Sequence, residues 1–194
     1  MPIKIGAGGK PQPYEQRNGE YSGSRMTKGS LYDGAGSEGG EDFKSKLQSV
    51  LDGTYDKESG AIEIGDTPNV YCEYADLPKL PLIINYDAAY LAMNKSGYLK
   101  GNYHDLGIDI MAQLPKALED PEYIFRSDNP KRVEVLTSLK DKKGQPIFAV
   151  LEKNDEKSVN YKKKFANIIV TAFGPRDKNY TNKRIGKIIY KKKN

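Results

Sequence analysis

One histidine, one cysteine and no tryptophan occur in this chain of 194 residues. A lone Cys72 excludes an internal disulfide framework and any cysteine zinc cluster. With a single imidazole as well, a transition-metal site is not expected, and neither is a cofactor. No apolar run approaches the ~18–20 residues that a membrane-spanning helix needs, so no membrane partner is expected. The first residues, MPIKIGAGGKPQPYEQ, lack the apolar core of a signal peptide. This pattern suits a cytosolic protein, or one delivered by a machine that does not read signal peptides.

Charge is present in quantity but unevenly placed. Residues 1–99 carry 10 Lys/Arg against 14 Asp/Glu, net −4, and residues 100–194 carry 21 against 12, net +9. From Lys157 to Asn194 there are 12 basic residues and one acid, Asp177. A basic half of this kind is the electrostatic footprint of a polyanion partner, nucleic acid first. A solvated surface or tail explains the same charges without a partner.

Residues 1–42 read as a flexible arm or linker. YSGSRMTKGSLYDGAGSEGGED is rich in Gly and Ser and has little apolar surface to bury. The folded domain is expected over 43–194. Phe43, Leu47, Val50 and Leu51 follow helical spacing, and Gly53 stops that helix. AIEIGDTPNVYCEY reads as one or two short strands, and DLPKLPLIINYD as extended chain held by its prolines. AAYLAMN reads as helix. IDIMAQLPKALEDP is an amphipathic helix with Ile110, Met111, Leu114 and Leu118 on one face, Asp109 as N-cap, and Pro115 as a kink or second start. Beyond Pro121 the pattern changes to runs of Val, Ile, Phe and Tyr. EYIFRS, KRVEVLTSLK, QPIFAVLEK and KFANIIVTAF read as four strands, with DKKGQ as a hairpin turn. RDKNYTNKRI is helix or loop, and KIIYKKKN a last strand or tail. Helices followed by an antiparallel meander predict an α+β fold, with N-terminal helices packed on a four-stranded antiparallel sheet.

The lone histidine, His104 in GNYHDLG, stands between two helical segments, flanked by glycines and small polar residues. Next to a helix C-terminus its pKa is expected to rise. Arg126 and Ser127 close the first strand of the meander. The arginine can grip a phosphate with two parallel hydrogen bonds; the serine can equally cap the turn before Asn129-Pro130. Arg132 opens the next strand beside Lys131, and Thr171 sits late in the fourth. Tyr190 reads as a core or edge aromatic, and Lys162, Lys163 and Lys164 form a basic run. A histidine, hydroxyls, guanidinium groups and a basic C-terminal half make a kit for metal-independent RNA cleavage. In that chemistry the 2′-OH attacks the adjacent phosphorus and leaves a 2′,3′-cyclic phosphate. Acid–base help contributes roughly 10²–10⁴ in rate, and preorganised charge often more. DNA lacks the 2′-OH, so RNA is the expected substrate. The second proton-transfer group stays open among a lysine, Tyr190, water and His104 itself. A non-catalytic protein that holds nucleic acid on its basic half is the competing reading.

AIEIGDTP, LPLIINYDAAY, YHDLGIDIMAQLPKALEDPEYIFRS, VEVLTSLKDKKGQPIFAVLE, FANIIVTAF and IIYKK, spread over about residues 43–193, carry a family resemblance. The chain resembles the C-terminal domain of phage MuF-type head proteins, a domain also found on polymorphic toxins and grouped with the barnase–EndoU–colicin–RelE (BECR) ribonucleases. The resemblance implies a site of His104, Ser127 and Thr171. It also implies a ribonuclease toxin or phage effector with RNA as substrate and a cognate immunity protein. The carrier would be a phage head or a larger polyprotein, and the place of action the cytoplasm of a host or target cell. Two departures stand out. The family's fourth-strand Ser-x-Tyr is Thr171-Ala172-Phe173 here, so the phenol is lost, and the usual basic neighbour of the histidine is Tyr103.

Overall fold

A computed structural model of the chain describes residues 38–56, 61–94, 104–153 and 165–193, all within one compact unit, Gly34–Asn194. Residues 1–37 of the expected arm, Tyr103 and the run Lys162–Lys164 lie outside the described residues.

Phe43, Leu47 and Val50 recur at helical spacing, and all three are buried along one side of α1 (Glu38–Leu51). The helix starts ahead of Phe43, in a stretch of Gly and acids with no apolar period to reveal it. AIEIGD forms strand β1 (Ala61–Asp66). NVYCEY, expected as strand, is instead the short helix α2 (Asn69–Tyr74), with Pro68 at its N-cap. Its Tyr71 is fully buried and donates its hydroxyl to the Leu118 carbonyl at 2.8 Å, a tertiary anchor that local propensity does not reveal. Strand β2 (Pro81–Asn85) runs directly into α3 (Tyr86–Met93). Helix α4 (Ile108–Glu119) is continuous through Pro115, and its N-cap is Gly107, at φ 77, rather than Asp109. Met111, Leu114 and Leu118 form its buried face.

The expected meander is present as β3 (Tyr123–Arg126), β4 (Arg132–Lys140), β5 (Pro146–Glu152) and β6 (Asn167–Phe173). The β4–β5 hairpin closes on Asp141, whose carboxylate accepts from the amides of Lys143 and Gln145, both at 2.8 Å, while Gly144 supplies the positive φ. A 3-10 turn, Asn182–Lys187, leads into β7 (Ile188–Lys191). The sheet has seven strands rather than four, in the order β1-β2-β6-β5-β4-β3-β7. Strand β7 extends it beyond β3. Strands β1 and β2 extend it beyond β6, through a parallel β2–β6 pairing of Leu82 with Asn167, Ile83 with Ile168 and Ile84 with Ile169. All other neighbours are antiparallel. Proline at Pro81 opens β2 where its missing N–H costs nothing, so the LPLIIN stretch pairs instead of merely extending.

Side-chain alternation divides the sheet into two faces. One packs Ile84, Ile124, Val135, Ala149 and Ile169 against the buried sides of the helices. The opposite face carries a second cluster built on Phe125, Leu136 and Phe148, flanked by Tyr123, Phe173 and Tyr180, which draws no residue from the described helices. Among the described residues no helix is long and apolar enough to cross a membrane.

Candidate active site

His104 is placed by the end of α3. The amides of His104, Asp105 and Leu106 donate to the carbonyls of Leu91, Asn94 and Ala92 at 3.1, 3.4 and 3.0 Å. The backbone, not the imidazole, therefore satisfies the helix terminus. Asp105 adopts φ 51, a conformation that an Asp tolerates, and Gly107 turns the chain into α4. This pinned turn carries the imidazole to the face of the sheet opposite the helices. There Nε2 lies 3.2 Å from the hydroxyl oxygen of Thr171 on β6, and the ring packs against Phe173 with centroids 5.6 Å apart.

Burial first, and the Arg176 guanidinium second, lower the His104 pKa from its ordinary 6.5. This reverses the rise expected from a helix C-terminus. The α3 carbonyls are already paired with amides, and the ring sits in a half-buried aromatic setting where a positive charge is poorly solvated. The imidazole is accordingly neutral at pH 7, with one ring nitrogen able to accept a proton.

The strand register connects this corner to the rest of the face. Thr171 pairs with Val150, Val150 with Glu134, and Glu134 with Phe125. These four residues form one rung on one side of the sheet. Glu134 is engaged by both Nε and Nη2 of Arg184 and by the Tyr180 hydroxyl at 3.0 Å. The Arg184 guanidinium also lies over the Tyr180 ring, 3.4 Å from its centroid. Burial, with the Glu134 charge second, pushes the Tyr180 phenol up to about 12, so it stays a donor. Tyr180 in turn sets its edge on Phe148 and Phe173 at 4.9 and 5.6 Å. This clamp fastens the segment after β6 onto the sheet beside Phe173, the ring against which His104 packs.

Of the residues singled out from the sequence, His104 and Thr171 come together. Ser127 does not join them. It follows β3, three strand spacings from β6, about 14 Å across the sheet. Its hydroxyl accepts from the Asn129 amide at 3.3 Å, the turn-capping role. Arg126 ends β3, exposed and paired in register with Val133, a helix-side position, and Arg132 is paired with Glu152 on β5. Tyr190 pairs with Ile124, a helix-side position, and packs against Tyr74 with centroids 5.0 Å apart, on the other face from His104. Arg176, Tyr180, Arg184 and Glu134 escaped the sequence reading. One signal was available: Glu134 is the only acid in the strand KRVEVLTSLK, and a half-buried carboxylate there requires a cationic partner. Among the described residues no group of three or more His, Cys, Asp or Glu side chains is arranged to hold a metal ion.

Fold and site together define an α+β protein that presents one imidazole–hydroxyl pair on the helix-free side of its sheet. The sequence pattern of the phage MuF C-terminal domain matches residues 95–194, and the chain belongs to that family. The match takes in His104, α4 and strands β3 to β7, a shorter span than the 43–193 over which the resemblance was read. A comparison with curated proteins finds no match, and neither does one with solved structures.

Proposed function

We propose that this phage-associated chain is a metal-independent endoribonuclease of the BECR group, acting as a toxin or phage effector. The observation that carries the proposal is the half-buried His104, neutral at pH 7, held 3.2 Å from the Thr171 hydroxyl with Arg176 near enough to lower its pKa. In the reaction the neutral imidazole takes the proton of a ribose 2′-OH as that oxygen attacks the adjacent phosphorus. The bond to the 5′ oxygen breaks, and a 2′,3′-cyclic phosphate remains. The imidazolium so formed is the acid available to the departing 5′ oxygen, so His104 serves both proton transfers. Tyr190, on the other face, is not placed to serve as the second group. Arg176 supplies the positive charge that favours the dianionic transition state. Thr171 orients the ring and selects its tautomer.

The test is direct. Purified protein should cleave RNA in EDTA and leave a cyclic phosphate end, and His104→Ala should abolish cleavage and growth inhibition while retaining RNA binding. A His104→Ala variant as toxic as the parent sinks the catalytic reading. Loss of two of Lys162, Lys163 and Lys164 should flatten the salt dependence of RNA binding, by about 0.7 in slope for each phosphate contact removed. A cognate immunity protein, and delivery with a phage head or carrier polyprotein into the target cytoplasm, belong to the same proposal. The distance of Ser127 from His104 favours the alternative, a non-catalytic head-associated protein that holds nucleic acid on its basic half. That alternative predicts RNA binding without cleavage.

A further inference from the structure

Away from His104, at the ends of two strands, the structure holds a cavity of about 260 Å³. It lies where the end of β3 meets the start of β7, lined by Arg126, Ser127, Asp128 and by the chain from Gly186 to Ile189. Lys187 enters it from the β7 side and is paired with Asp128 at 2.5 Å. Arg126 has no carboxylate partner among the described residues, and a side chain added at Gly186 would meet nothing within 4 Å. The Asp128 carboxylate is almost fully exposed, at 94%, so it can swing away from Lys187 with little cost. The volume falls short of the ~300–1,000 Å³ of drug-sized ligand pockets. It suits one phosphate with its sugar rather than an extended ligand.

We propose that this cavity is a second phosphate subsite for RNA, in which Arg126 grips a backbone phosphate by its planar fork and Lys187 adds a point charge. The proposal rests on the nuclease reading for the identity of the strand, and on the cavity's own chemistry for the anion. The subsite stands three strand spacings from Thr171, about 14 Å. It therefore holds a phosphate several linkages away from the one beside His104. Arg126 pairs with Val133, a helix-side position, so a strand bound at both ends leaves the face of Phe173 and passes around the end of β3 to reach it. Substrate length then becomes a determinant of affinity: a dinucleotide reaches only the His104 corner, whereas a decamer reaches both ends.

The experiment uses the full chain carrying His104→Ala, so that binding is read without cleavage. Fluorescence anisotropy measures a labelled RNA decamer and a labelled dinucleotide over a salt series. Adding Arg126→Ala should weaken decamer binding about tenfold at low salt, reduce the salt slope by about 0.7, and leave the dinucleotide unchanged. Arg126→Lys should recover part of the loss, because charge returns without the fork. Asp128→Asn should tighten decamer binding several-fold by removing the negative charge from the cavity, a gain that a misfolded protein cannot show. Lys116→Ala, on α4 of the helix layer, is the charge control and should have little effect. Unchanged decamer binding in Arg126→Ala, an equal loss in Lys116→Ala, or an equal loss for the dinucleotide overturns the subsite. A DNA decamer bound with the same Arg126 dependence supports the phosphate cavity while assigning it no preference for ribose. If the parent protein cuts no RNA, the nuclease reading fails, and the anisotropy series still decides the subsite.

Discussion

The two faces of one sheet solve different problems with alternate residues of the same strands. On the helix side, Val135, Ala149 and Ala172 are fully buried among the apolar faces of the helices. On the other side, their neighbours Glu134, Val150 and the hydroxyl-bearing Thr171 form a rung that is only half-buried, with His104 at one end. The first face contributes stability through area removed from water. The second keeps polar groups near one another, and each must find a partner or be usable by a ligand. Stability and chemistry are thus separated by a single residue of register, and slipping any central strand by one would exchange them.

This separation can be attacked from either side. Leu118→Ala, on the buried face of α4, should lower the unfolding free energy by about 2–5 kcal/mol. Chemical denaturation measures it, and the activity per folded molecule should survive. Glu134→Ala, on the other face, should cost about 1–3 kcal/mol, because it strands the Arg184 guanidinium and the Tyr180 hydroxyl. A double-mutant cycle with Arg184→Ala should recover part of that cost, and additive losses would show that the clamp contributes nothing as a unit. Thr171→Val keeps the shape and removes the hydroxyl. It should slow RNA cleavage about tenfold, a barrier change near 1.4 kcal/mol, with the unfolding transition within about 1 kcal/mol of the parent. Thr171→Ser should restore the rate.

The smallest effect is one of pH. Burial and Arg176 lower the His104 pKa in the folded protein, so between that value and 6.5 the unfolded chain binds more protons. The stability this group contributes is present above 6.5 and is lost as the pH falls through the folded pKa. His104→Gln should remove that dependence from the denaturation midpoint. In the parent the acid limb of cleavage should lie below the ordinary histidine value. A limb above 6.5 would mean that the ring is not in the half-buried setting described.

Strands β3 to β6 were legible because alternation and the Asp141–Gln145 turn are local signals carried by adjacent residues. The helical face of α4 was legible for the same reason. The pairing of β2 with β6 was not, since the partners are Leu82 and Asn167, and nothing between them encodes a parallel crossover. The site divides in the same way. His104 was visible as the one imidazole of the chain, and Thr171 only through what the family resemblance implied. The departure of Ser127 from them was invisible, because it depends on how many strands lie between β3 and β6.

Residue chemistry alone determined that the chain offers a single imidazole and a basic C-terminal half, because composition limits which reactions a chain can attempt. Tertiary packing decided the rest. It placed the ring against Thr171, Phe173 and Arg176, and so lowered a pKa that local sequence would have raised. Proton affinity depends on solvation and on charges brought close in space, and neither is a property of neighbouring residues in the chain.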